Sequence, residues 1–254
     1  MIRHRRLVYL LLVVVMHQSC APPPAPVRRP GWIPTTDISG LLGEPTTLFE
    51  EIHDLTAAAQ VTVTDEQTDQ SASASVQYLP PQLMRIDVRG PLFRHVLTAV
   101  FHADTLWSLS EGRLVRLDAR RGLVDLLGIN FSGQSPREAL LGLVVPVHSR
   151  DSLSVEFPRA DRVVAVIHNP AGGQRRLWVD VLSGWVVAEE GVDATGQRRW
   201  RRQLGQYEPV GDTGIYLPRH VRIESGLRSI EIRYGEWRVD QGLSAASFFK
   251  GLAL

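Results

Sequence analysis

Residues 83–118, LMRIDVRGPLFRHVLTAVFHADTLWSLSEGRLVRLD, contain four short runs in which apolar residues recur every second position. Arg89-Gly90-Pro91, Ala103-Asp104 and Glu111-Gly112 separate them, and such residues favour turns. A period of two places alternate side chains on opposite faces of a strand, so the stretch reads as antiparallel strands joined by hairpins.

The same pattern extends in both directions. Upstream lie VTVTDE (61–66) and SASASVQYL (71–79). Downstream lie SLSVEF (152–157), RVVAVIH (162–168), RRLWVDV (175–181), WVVAEE (185–190), RRWRRQLGQYE (198–208), YLPRHVRIE (216–224) and SIEIRYGEWRV (229–239). NPAGGQ, LSG and DATGQ carry glycine hairpin signals. Along 229–239 the apolar parity changes between Tyr234 and Trp237, which predicts a bulge at Gly235.

Two segments have helical spacing. In EPTTLFEEIHDLTAAAQ (44–60), Thr47 and Glu50 form a capping-box pattern, and Leu48, Ile52, Leu55 and Ala59 recur at helical intervals. In the second, Ser135 stands as N-cap, Pro136 at the first helical position and Glu138 three after the cap, before Ala139, Leu140 and Leu143. The expected fold is mainly β: a strongly curved antiparallel sheet, a half-barrel covered by two or three helices on its concave side.

The N-terminus is of another kind. A basic start, Arg3 to Arg6, precedes an apolar run from Leu7 to Met16, which falls short of the about 20 residues that span a bilayer. Residues 1–19 therefore read as an export signal. The single cysteine, Cys20, follows Ser19 and precedes a proline-rich stretch, so no internal disulfide is available. Residues 20–40 read as an extended tether, since proline lacks a donor and fixes φ. Residues 41–254 form a single β domain with no further linker.

VLTAVF and RVVAVI are apolar on both parities and should have both faces covered. Either a core covers one face and a helix the other, or part of the interior is a cavity that accepts lipid. Met84, Ile86, Val88, Leu97, Phe101, Val155, Val164, Val166, Ile230 and Ile232 are expected to be buried, most of them on the concave side.

Enzyme chemistry finds no support in the motifs. Gly-x-Ser-x-Gly, His-Glu-x-x-His, the phosphate loop and Gly-x-Gly-x-x-Gly are absent. Histidines 53, 95, 102, 148, 168 and 220 are scattered one per element, so neither a metal nor a cofactor is expected. A net charge of +1 disfavours nucleic acid as a partner. In RRWRRQ (198–203), Arg198, Trp200 and Arg202 share one strand face. They read either as a solvated, charge-defended edge or as a contact for anionic headgroups or an acidic carrier protein.

Ser19-Cys20 after the apolar run resembles a bacterial lipobox, with His17 and Gln18 departing from the pattern. That resemblance implies lipid attachment at Cys20, and Ala21 in place of Asp implies sorting to the outer membrane. The run ending in Gly90-Pro91-Leu92, the LWVDVLSGWVV hairpin (177–187), and YEPVGDTGIYLPRHVRIE with IEIRYGEWRV resemble the LolA/LolB superfamily of periplasmic lipoprotein carriers and receptors. The resemblance covers about Thr46 to Val239. It implies a monomeric, lipid-anchored protein on the periplasmic side of the outer membrane. Acyl chains of lipoprotein or lipid would lie in the half-barrel, with a soluble periplasmic carrier as a possible partner. An envelope sensor or scaffold of the same fold is the alternative. Leu92 and Phe93 match the loop by which receptor members dip into the membrane, or they tuck against the barrel rim.

Overall fold

The computed structural model describes residues 27–37, 52–91, 94–119, 121–122, 124, 128, 136–144, 152–168 and 172–252. Its strands are β1 (Leu55–Thr64), β2 (Asp69–Leu79), β3 (Leu83–Arg89), β4 (His95–His102), β5 (Thr105–Ser110), β6 (Arg113–Asp118), β7 (Ser152–Arg159), β8 (Arg162–His168), β9 (Gln174–Asp180), β10 (Val186–Val192), β11 (Arg198–Pro209), β12 (Tyr216–Ser225) and β13 (Arg228–Val239). Two short helices are described end to end, α1 (Pro136–Leu141) and α2 (Ala245–Phe248), and Ala119, Arg121, Gly122 and Val124 are also helical. Among the described residues no helix is long and apolar enough to cross a membrane.

All thirteen strands form one curved, unclosed antiparallel sheet in the order β6-β5-β4-β3-β2-β1-β13-β12-β11-β10-β9-β8-β7. Apart from β1–β13, every pairing joins strands consecutive in the chain. The two edge strands, β6 and β7, are also consecutive. The chain between them must therefore travel from one edge of the sheet to the other, and its described residues show the route across the concave face. A Cβ on Gly122 would meet Leu106 Cδ2 at 2.3 Å, and one on Gly128 would meet Arg228 Nη1 at 1.8 Å. Further on, α1 rests against β11 and β12.

The expected opening helix is replaced at its C-terminal end. Leu55 and Ala59 belong to β1, where Leu55, Ala57 and Ala59 are buried and Ala58 and Gln60 are exposed. An alanine-rich run fits either period, and pairing with β2 and β13 on both sides selects the strand. Thr47, Leu48 and Glu50 lie outside the described residues. Gly235 is at the expected bulge: Ala57 pairs with Trp237 but Ala59 with Tyr234, an extra residue on β13.

The interior cluster joins Leu55, Tyr78, Met84, Phe101 and Leu106 on one side of the sheet to Leu177, Val221, Ile223, Ile230 and Ile232 on the other. A second cluster occupies the convex face, where Leu83 and Val100 pack with Phe248 and Leu252 of the C-terminal segment. VLTAVF is doubly apolar for this reason: Ala99 and Phe101 face the interior while Val100 faces α2. Phe248 thus lies on the convex face.

The tail is clasped by polar groups. Both oxygens of the buried Asp54 carboxylate accept backbone N–H groups, from Gln241 and Leu243, each at 2.8 Å. Arg85 Nη1 donates to the carbonyls of Phe248 and Lys250, both at 2.8 Å, and its fork holds Asp87 at 2.7 and 2.8 Å. Burial raises the Asp87 carboxyl, but hydrogen bonds from Arg85 and Thr98 outweigh it and hold the group below the usual carboxylate range. A depressed carboxylate contributes stability above its unfolded pKa, near 3.9, and loses that contribution as pH falls through the folded value. Hydrogen-exchange protection of residues 245–252 should therefore be constant from about pH 5 to 8 and fall below about pH 4. In Asp87→Asn it should already be low at pH 6.

Candidate functional site

The concave face at β11–β13 is covered by α1, and the cover is built around a buried charge. Arg202 of β11 is 0% exposed and points inward, where its guanidinium meets Glu189 of β10, also 0% exposed. Arg175 of β9 approaches the other oxygen of the same carboxylate at 2.7 Å. Arg202 also donates to the carbonyls of Ala139, at 3.3 Å, and Leu143, at 2.8 Å, and the Tyr234 hydroxyl donates to Leu140 O at 2.9 Å. A helix C-terminus leaves its last carbonyls without intrahelical donors, and a cation there also suits the helix dipole. Burial pushes the Tyr234 and Tyr207 phenols above their ordinary range, so both stay protonated donors. Tyr207 uses its hydroxyl on Val186 O at 2.7 Å.

Two glycines make the fit possible. Gly142 ends α1 at φ +74°, the left-handed C-terminal position, and a Cβ there would lie 2.5 Å from Pro218 Cγ and 3.2 Å from Leu204 Cδ2. A Cβ on Gly191 would stand 2.4 Å from Trp200 Nε1, so the missing side chain gives the indole its place.

Toward the other rim the inner face stays apolar but is less covered. Val61, Val63, Ile86 and Val88 pack against the interior cluster and are only half-buried, as is Leu97. Met84, Phe101, Ile230 and Ile232 are buried in the interior as expected. Val164 and Val166 are buried at 3% and 2% but face the other way: their neighbours Val163, Ala165 and Ile167 are the residues that join the interior cluster. RVVAVI is apolar on both parities, so the pattern alone cannot say which parity points inward. Val155 is exposed, because β7 is an edge strand with every residue exposed.

The basic run of β11 is also corrected. Trp200 and Arg202 do share a face, but it is the inner one, where they are sealed at 2% and 0% exposure, so neither can meet a headgroup; a register shift sets Arg198 opposite Val192, off that face and at the surface. Cys20, Leu92 and Phe93 lie outside the described residues. On either side of the last two, Gly90 N donates to Arg94 O at 2.9 Å.

The tether is docked from residue 27 onward. Trp32 Nε1 donates to Val181 O, Arg29 N to Ser183 O and Trp185 Nε1 to Val27 O, each at 2.8 Å, and the Trp32 indole covers Gly184. This β9–β10 turn lies on the opposite rim from the β3–β4 turn that contains Gly90. Strand register carries Leu83, Leu55, Val239 and Val186 to the first rim and Arg89, Thr64 and Arg228 to the second. Among the described residues no cluster of three His, Cys, Asp or Glu side chains is placed to hold a metal ion.

An unclosed antiparallel half-barrel with an apolar concave face and a crossing segment laid over it is the LolA/LolB-like fold. Solved structures share it. A LolA superfamily protein from Nitrosomonas europaea matches at TM-score 0.55 and 10% identity, over 78% of this chain and 90% of that one. A putative outer-membrane lipoprotein-sorting protein domain from Vibrio parahaemolyticus matches at 0.58 and 14%, over 77% and 88%. A DUF1329 family protein from Desulfovibrio piger matches at 0.58 and 12%, over 79% and 92%. No family model and no curated protein matches the sequence.

Proposed function

We propose that this is a lipid-anchored periplasmic protein that shelters acyl chains of a lipoprotein or lipid against its concave face and delivers them to the outer membrane. The observation that carries the proposal is the uneven cover of that face, sealed under α1 at β11–β13 and half-open along Val61, Val63, Ile86, Val88 and Leu97. Burying a methylene is worth about 0.8 kcal/mol, so an acyl chain crosses water only under cover, and handover needs a bias of about 1.4 kcal/mol per tenfold in affinity. The protein acts by burial and not by catalysis.

The docked tether orients this device. Seven residue steps, with six residues between, lead from Cys20 to Val27, a reach of about 25 Å when fully extended. Acylated Cys20 would hold the β9–β10 rim near its membrane, with the Gly90–Arg94 turn about 30 Å away, the length of a strand. For the anchor and Leu92-Phe93 to touch one bilayer, the half-barrel has to lie along its surface.

A second reading, an envelope sensor or scaffold, is favoured by the edge strand β7. There Leu153, Val155 and Phe157 extend the inner-face parity and remain exposed, Phe157 at 59%. The deciding measurement is mass spectrometry of organic extracts of the protein purified without lipid-stripping detergent. Co-purified acyl lipid, lost in Ile86→Glu with Val88→Glu while the fold is retained, is the expected result. A lipid-free protein that takes up no acyl probe overturns the carrier reading and leaves the scaffold.

A further inference from the structure

Behind the inner face, on the convex side of β8–β12, lies a groove of about 550 Å³ that the acyl-chain reading does not use. Its floor is Trp178, Ala188 and Gln203, which stand side by side across β9, β10 and β11. Pro158, Arg159 and Arg162 of the β7–β8 hairpin wall one side and His220 of β12 the other. His220 pairs with Gly205, where an added Cβ would meet nothing within 4 Å, so that end of the floor is open space.

No carboxylate lines the groove, although the whole chain is nearly neutral. Two of its four basic groups are already matched from outside it: Arg162 by Asp180, and His220 by Glu231 at 3.1 Å. Arg159 and Arg201 have no carboxylate partner among the described residues. The Arg201 guanidinium lies over the Trp178 ring, 5.6 Å from its centroid, and its Nε is buried with no acceptor. A guanidinium held against an aromatic ring, with its Nε unmet and a second arginine lining the same groove, suits an oxyanion. A phosphate ester has enough oxygens for both arginines and the Gln203 amide, where a carboxylate has two. Trp178, Pro158 and Val187 leave apolar wall for the group that the phosphate carries.

We propose that this groove binds a phosphate ester through Arg201 and Arg159. A phospholipid headgroup and a soluble ester share that chemistry, and the proposal stands whether or not the inner face carries acyl chains. The test uses the full-length protein in uncharged detergent micelles. Glycerol phosphate is titrated in one arm and phosphatidylglycerol, mixed into the micelles, in the other, with phosphorus NMR line broadening and calorimetry as readouts. At least one probe should bind, and Arg201→Gln and Arg159→Gln should each weaken it about tenfold or more. Arg238→Gln, an exposed arginine paired with Glu236 elsewhere on the sheet, should leave affinity unchanged. Arg159 is exposed, so its variant keeps the test valid if Arg201→Gln fails to fold. Glycerol phosphate binding identifies a soluble ester as sufficient; binding of phosphatidylglycerol alone identifies a headgroup. Binding of neither probe, or binding unchanged in both groove variants, overturns the proposal.

Discussion

Glu189→Ala is expected to cost about 3 to 5 kcal/mol and to lower the melting temperature by roughly 10 °C or more, the largest effect of any single change considered. The carboxylate is 0% exposed between Arg202 and Arg175, and removing it leaves the Arg202 charge sealed in the interior with only carbonyl acceptors. Part of the loss should return when the charge is removed as well. Glu189→Leu with Arg202→Met replaces a buried pair by apolar groups of similar size, which is often close to neutral. The double variant should still melt below the wild type, because the Ala139 and Leu143 carbonyls lose their donor, and each lost hydrogen bond costs about 1 kcal/mol. Thermal melts of the two variants check this ordering. A Glu189→Ala protein as stable as the wild type would show that water reaches the pair.

The strands were legible because alternation is a local signal that two-sided pairing does not contradict. VTVT, SASASV and LMRIDV each carry their own parity, and Gly235 marks its bulge by a change of parity within one strand. What was hidden depends on partners distant in sequence. In RRWRRQ the parity was legible, but arginine ordinarily means water, and the acceptors that draw Arg202 inward are carbonyls 59 and 63 residues away. The alternating Leu55, Ala57 and Ala59 were masked by alanine, which suits helix and strand patterns alike. The docked tether did leave a signal: Gly31-Trp32 places a large aromatic inside a proline-rich stretch, where a free linker has no use for one. Of the candidate site, the interior residues Met84, Phe101, Ile230 and Ile232 could be read from alternation. The convex groove could not, because Arg159, Trp178, Arg201 and His220 come from four strands and meet only through register.

Gly142→Val tests whether α1 acts as a cover or only as part of the core. A β-branched residue at φ +74° is strained by about 1 to 2 kcal/mol, and its Cβ would press into Pro218, whose ring cannot swing aside. Overpacking adds about 1 to 3 kcal/mol, so the total loss approaches that of Glu189→Ala. The strain falls at the junction between α1 and the sheet, and the cheapest relief is for α1 to lift from β11 and β12 while the strand pairings persist. That would uncover Leu204, Val221 and Ile223, all now buried beneath it. The variant should therefore melt lower and, well below its melting temperature, bind several-fold more of a fluorescent fatty acid than the wild type. If α1 is only structural, the melting temperature should fall with no gain in probe binding at any temperature where the sheet remains folded. Circular dichroism at the strand minimum, recorded with the probe titration, separates the two outcomes, and a gain would place the cover of the acyl-chain site on α1.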